Sequence, residues 1–448
     1  MAGCGSADGD DGSDDGNLAT GVSADGNTGV ATSADGTVGG SGDSGTTSTP
    51  TSPDSDDGDD DDDAHGISLD VLEIPDFAGV CAGGGLGGSR SFSYIWIANS
   101  SQGTVSKINT QSLVEEGRYY TSQFGTGSPS RTSVNLSGDV AVANRNGGIT
   151  KVYADLADCQ DTNGTPGIQT SLGANDILAW GEDECIAWHS PMTYGSQRPI
   201  AWTQGTFSEA GCSWSDQKVW TTGTTIGGTA DVLLLNGDDG SVEQMVNIPN
   251  LSFANTFGGY GAVVDSEGNL WFNEMLAFGQ NLVRVSLADL SYDIIPTDNR
   301  SGYGIAIDEM GRLFTCGGGA VNRYDPVAGT WASTPLPALT YGGCMVDGED
   351  RLWVSGGNNA PYTFKAFDIE SMMEVESFVV SEHLHGVSID FEGYVWGVGG
   401  TAGIGGGERA LRIDPATGDF ETVEGLVGAY TYSDMTGFAL VGSTTPRG

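Results

Sequence analysis

Basic residues are scarce in this chain: 17 Lys and Arg stand against 60 Asp and Glu, a formal net charge of −43 over 448 residues. A surface of that sign repels phosphate backbones, which argues against nucleic acid as a partner. Long apolar runs are missing too, and without one of about 18 residues no transmembrane helix is expected. No C-x-x-C occurs, so neither a zinc knuckle nor a thioredoxin-type redox pair is indicated. G-x-S-x-G, H-E-x-x-H and a phosphate-binding loop are also absent. GGGLGG (83–88) lacks the strand–helix context of a nucleotide site and reads as a flexible lead-in. Only four His are present, few for a full metal and acid–base set.

The missing charge balance is uneven along the chain. Residues 1–65 contain sixteen Asp and no Lys or Arg, so they carry −16 and leave −27 for the rest. SADG recurs at 6–9, 23–26 and 33–36, and the stretch closes with DSDDGDDDDD (54–63). Such a composition buries too little apolar surface to offset chain entropy, so a disordered, self-repelling tether is expected over 1–65. Residues 66–93 read as an entry segment and 94–448 as the folded domain. Ten Trp and 9% aromatic residues supply ample core for it.

One phrase recurs in that domain: YGAVVDSEGNLWF (260–272), YGIAIDEMGRLFT (303–315), YGGCMVDGEDRLWV (341–354) and HGVSIDFEGYVWG (385–397). The aromatics near its end, Trp271, Phe314, Trp353 and Trp396, are spaced by 43, 39 and 43. A period near 40 with alternating rather than helical hydrophobicity indicates a propeller. Each copy says strand, tight turn, strand. Asp265, Asp308 and Asp390 can cap the turn, and Gly268, Gly311 and Gly393 supply positive φ. Repetition at one turn position makes these aspartates structural rather than a ring of functional carboxylates. Third and fourth runs follow, as in RIDPATG (412–418) and DFETV (419–423), giving four antiparallel strands per unit.

The fold class expected is therefore all-β, a single β-propeller of four-stranded blades. Second strands near 96, 141, 187, 220, 271, 314, 353 and 396 give eight blades by count. Seven stays open, because the step from 187 to 220 is short. The first unit lacks an inner strand before Tyr94, and MTGFALV (435–441) offers one, closing the ring from the C-terminus.

The G-h-h-h-D-x-x-G-x-h-W phrase resembles the repeat of streptogramin B (virginiamycin B) lyase-like propellers and related NHL-type propellers. Those lyases open a cyclic peptide by C–O elimination, using a divalent metal with His and Glu near the central channel. The resemblance places His385, in SEHLHGVSID (381–390), and Glu274, in WFNEML (271–276), at the candidate catalytic positions. Leu384 stands where the family has Pro, and no Glu follows Trp396. His383 and His385 share a strand face and could ligate Mg²⁺ or Zn²⁺ with help from another blade. Met1-Ala2-Gly3-Cys4, followed at once by a polar tail, resembles the processing site of bacterial lipoproteins, which implies lipidation at Cys4.

Six further cysteines, Cys81, Cys159, Cys185, Cys212, Cys316 and Cys344, suit disulfides outside the cytoplasm. Cys316 and Cys344 are 28 apart and Cys159 and Cys185 are 26 apart, each a link between neighbouring units. Cys81 then pairs with Cys212, or both stay free. In DCQDTNGTPGIQTS (158–171), Asp161, Asn163 and Thr165 alternate as in a calcium loop, although Pro166 replaces the expected Gly. His189 beside Trp188 reads as a packed imidazole. Trp202, Trp214 and Trp331 are candidates for a sugar or peptide face. No cofactor is firmly indicated beyond calcium or a divalent metal.

The functional expectation is a monomeric bacterial envelope lipoprotein, at the outer membrane or cell surface or else periplasmic or secreted. It would touch the membrane through its lipid alone, and its propeller would bind an extracellular peptide, glycan or protein. The alternative is the metal-dependent lyase with its site at the central channel.

Overall fold

A computed structural model of the chain describes residues 93–444, apart from 209–212, 226–228, 250, 252–257, 275–280, 301 and 402–404. The expected tether and nearly all of the entry segment, with Cys4 and Cys81, lie outside the described residues, as does Cys212.

The domain is a β-propeller. Blade 2 comprises Pro129–Val134, Val140–Asn144, Gly148–Val152 and Ile186–Ser190; blade 3 comprises Ser196–Trp202, Lys218–Thr225, Thr229–Asn236 and Val242–Ile248. Blades 4 to 7 begin at Gly259–Val264, Gly304–Ile307, Cys344–Val346 and Leu384–Ile389, each running outward through three more antiparallel strands. Blade 1 contributes Tyr94–Asn99, Thr104–Asn109 and Glu115–Tyr120. Consecutive inner strands touch around the ring. Facing blades share their cores: Trp220, Val232 and Leu234 of blade 3 pack with Ala262, Leu270 and Phe272 of blade 4. Each such side chain contributes roughly 1.5–3 kcal/mol when fully buried. The outer strands, such as Glu374–Val379, are largely exposed.

Among the described residues the blades number seven, correcting the count of eight. The run near 187 is the outer strand of blade 2, with Ile149 opposite Ser190 and Val152 opposite Ile186. Residues 153–185, inserted before it, shift it by most of a blade repeat, so it mimics a new unit. Ser196–Trp202, close behind it, is already the inner strand of the next blade. A small hairpin, Thr206–Ser208 with Ser213–Ser215, separates that strand from its partner.

The repeated phrase also encodes a clasp. Asp390 accepts from the backbone N–H of Glu392 and Tyr394 through one oxygen, while Trp396 Nε1 donates to the other at 2.7 Å. Asp265 with Trp271 and Asp347 with Trp353 repeat the arrangement at 2.9 and 2.7 Å. In blade 5, where Phe314 replaces Trp, Arg312 Nε donates to Asp308 instead, at 2.6 Å. Burial raises the Asp390 carboxyl to about 7.

Ring closure comes from the C-terminus, but one step earlier than expected. Residues 430–435 run beside the first strand, Tyr430 N donating to Ala98 O at 3.0 Å and Trp96 N to Met435 O at 2.9 Å. Most of the expected closing run is instead helical, over Phe438–Thr444. Asp434 turns the chain there, accepting from Gly437 N at 2.8 Å and Leu440 N at 3.1 Å. Phe438, Leu440 and Val441 then pack at the C-terminal ends of inner strands, beside Leu136 and Phe391. An apolar run was the wrong signature to seek. The innermost position of a blade faces the axis, and here that face is polar and aromatic.

Disulfides Cys159–Cys185 and Cys316–Cys344 both form. The second joins blade 5 to blade 6 as expected; the first links no neighbouring units but closes the insertion within blade 2, because both its cysteines lie between that blade's third and outer strands.

Candidate functional site

The first letter of the phrase reads Tyr, Tyr, Tyr, His, and all four side chains point to one place. Tyr260, Tyr303, Tyr430 and Tyr432 form a buried cluster with Tyr341 packed against it. His385 sits among them, its ring centroid 4.8 Å from Tyr430, 5.1 Å from Tyr303 and 5.2 Å from Tyr432. These residues come from blades 1, 4, 5, 6 and 7, and only the propeller axis lets five blades meet. The second letter, Gly, permits the approach: a Cβ on Gly386 would lie 2.0 Å from Thr431 O of the closing segment.

Blades 2 and 3 send arginines to the same centre. The Arg131 guanidinium lies 4.7 Å from the Tyr260 ring centroid and packs on Tyr432; Arg198 lies 5.2 Å from Tyr260. Arg145, after the second strand of blade 2, covers Tyr430 at 4.3 Å. Tyr430 hydroxyl bridges Tyr260 hydroxyl at 2.9 Å and Tyr303 hydroxyl. Burial holds Tyr260 and Tyr303 far above the ordinary phenol range, so both stay neutral. It pulls Arg131 down to about 9. Burial, then His383, Arg131 and Arg145, hold His385 well below its usual range, so it is neutral at pH 7. The centre of a strongly acidic protein is thus lined by cations and neutral donors.

The residues expected from the sequence are only partly gathered here. His383 and His385 are neighbours, with ring centroids 5.9 Å apart. His383 faces blade 6, however: its Nδ1 lies 3.2 Å from Gly357 O and its Nε2 3.1 Å from Asn358 Nδ2. Both nitrogens are therefore engaged. Glu274 is buried at the end of the second strand of blade 4, accepting from Asn281 Nδ2 at 2.7 Å. Glu382 pairs with Arg409 at 2.7 Å. Among the described residues no group of three or more His, Cys, Asp or Glu is placed to hold a metal ion. This donor set gives no support to the lyase reading.

Asp161, Asn163 and Thr165 are exposed on the blade 2 insertion. The backbone N–H groups of Thr162, Asn163 and Gln169 converge on the Glu184 carboxylate at 2.7, 2.9 and 2.9 Å. That is an array of donors around an internal anion. His189 lies on the outer strand of blade 2, sharing a hydrogen bond with Thr150 Oγ1 at 2.9 Å. Trp202 is buried, and Trp214 and Trp331 are half-buried against Phe207 and Tyr324.

Sequence reasoning treated the leading Tyr of the phrase as part of the fold signal and passed over the arginines. The substitution of His for Tyr in the fourth copy was the available signal, since a position that tolerates only polar aromatics faces something other than an apolar core.

Fold and centre together define a seven-bladed propeller with a polar aromatic axis. No protein-family model matches the chain, and no curated protein matches it. Among solved structures, a protein from Lactobacillus plantarum is similar with TM-score 0.50 and 11% identity, covering 76% of this chain and 98% of that one. A functionally unknown protein from Desulfotomaculum acetoxidans gives 0.48 and 10%, with 76% and 98% covered. The WD40 repeats of RRP9 give 0.46 and 11%, with 69% and 84% covered. At these identities the likeness concerns the fold.

Proposed function

We propose that this chain is an envelope-tethered bacterial lipoprotein whose propeller binds an extracellular peptide, glycan or protein. The observation that carries the binding role is the axial cluster, where side chains from all seven blades converge. The two disulfides fit an oxidising compartment. No helix among the described residues is long and apolar enough to cross a membrane. Attachment would then run through a lipid on Cys4, with the acidic segment as spacer.

Fractionation of cells making the full chain tests the reading, with thiols alkylated before lysis. Membrane-associated protein with Cys159, Cys185, Cys316 and Cys344 blocked as disulfides, released by Cys4→Ser, is the expected result. Cytoplasmic protein with four free thiols would overturn it.

A further inference from the structure

Arg131 is fully buried, yet only one edge of its guanidinium is used. Nη1 donates to Ser130 O at 3.0 Å, while Nε and Nη2 have no hydrogen-bond partner. Those two nitrogens form the side-on fork that matches the two oxygens of a carboxylate. The chain shows the pairing elsewhere. Buried Arg118 uses Nε and Nη2 to hold the Glu115 carboxylate, at 2.7 and 3.1 Å. Arg131 makes no ion pair among the described residues. Around it, both ring nitrogens of buried His385 and the hydroxyl of buried Tyr432 also lack partners. Leaving one buried polar group unsatisfied costs about 1–3 kcal/mol, and a cationic group costs more. A cluster of unsatisfied donors on one axis therefore points to an acceptor.

We propose that the propeller axis binds a carboxylate, held side-on by Arg131 Nε and Nη2 and flanked by Tyr432 and His385. The Tyr432 hydroxyl and a neutral His385 N–H donate to the carboxylate oxygens. Arg198 and Arg145 add positive charge beside it. The flat guanidinium is held against the Tyr260 and Tyr432 rings, so its fork is oriented before the ligand arrives. This deepens the binding reading and rests on it for its biological setting; the chemistry of the site stands on Arg131 alone. The carboxylate belongs either to a small free acid or to the end of a peptide chain.

The full-length protein is melted at fixed ionic strength with acetate, with N-acetyl-Ala-Ala, with inorganic phosphate and with chloride. Acetate or the peptide is expected to raise Tm by about 4 °C at one hundred times its Kd. Arg131→Met should abolish the rise. Arg131→Lys should lose most of it, because an ammonium cannot reproduce the fork. A response to acetate alone would assign a small acid, and a stronger response to the peptide a chain end. A rise equal in Arg131→Met, a response to phosphate or chloride only, or none at all would overturn the proposal. Membrane release by Cys4→Ser is unaffected by any of these outcomes, so the two readings fail separately.

Discussion

Replacing Cys316 and Cys344 together by Ala removes a staple between blades 5 and 6. The bond closes a loop of 28 residues and is buried at both ends, Cys316 at 0% and Cys344 at 1% exposure. Loop-closure entropy for that length gives about 3.6 kcal/mol of stabilisation at 25 °C. Roughly 350 ordered residues at about 2.1 cal/mol/K each give an unfolding entropy near 0.7 kcal/mol/K, so the predicted fall in Tm is about 5 °C. The cavity left by two missing sulfurs adds to this rather than opposing it. Scanning calorimetry of oxidised wild type and of the double variant reads the difference directly. Reductant should lower wild type by more than the double variant, which keeps the Cys159–Cys185 bond. Loss of the 159–185 bond under reductant adds a second step, which Cys159→Ala/Cys185→Ala separates. Coincident melting of the Cys316/Cys344 variant and oxidised wild type would refute the view that the ring is stiffened between these blades.

The Asp–Trp clasps predict an order of sensitivity. Trp396→Phe leaves one oxygen of the buried Asp390 carboxyl without its indole donor and should cost about 1–3 kcal/mol, beyond lost packing. Trp353→Phe should cost less, because Arg351 Nε still donates to Asp347 at 2.8 Å; chemical denaturation showing the reverse order would count against the clasp. The pH dependence of Asp390 has a definite sign. Its folded pKa, about 7, lies above the ordinary aspartate value of about 3.9, so its stabilising contribution is full below about pH 4 and lost as pH rises through about 7. The Tm of wild type relative to Asp390→Asn should therefore be higher at pH 5 than at pH 8, and a gap that stays constant with pH would contradict a buried, proton-binding carboxyl.

Blade chemistry was legible from three residues of the phrase. Asp, Gly and Trp at fixed offsets announced turn, positive φ and core, and the structure adds that Asp and Trp bond to each other. Blade number was not legible, because residues 153–185 displaced an outer strand until it matched the repeat period. The closing segment was missed for a related reason: YTYSDM (430–435) is polar and aromatic, and its neighbour FALV looks more like a strand while folding as a helix behind Asp434. Both disulfides were read from spacing alone. The axial cluster was half visible. Its aromatic members stood in the open at the head of each copy, whereas Arg131 and Arg198 belong to worn copies where no alignment marks an inward position. His383 shows the limit of a same-face argument, since its Asn358 and Gly357 partners come from a loop of blade 6 that no periodicity predicts.

Tyr430 and Tyr432 lie on the segment that latches the ring, and they also wall the axial centre. Latch and wall are one short piece of chain, so the topology couples two equilibria that other architectures keep apart. Prising 430–435 from the first strand would dismantle the centre, and whatever grips those tyrosines from the axis would hold the circle shut. By linkage the coupling runs equally both ways. Occupancy of the axis would then be felt as resistance to opening at the seam, where the first and last described strands of the domain meet.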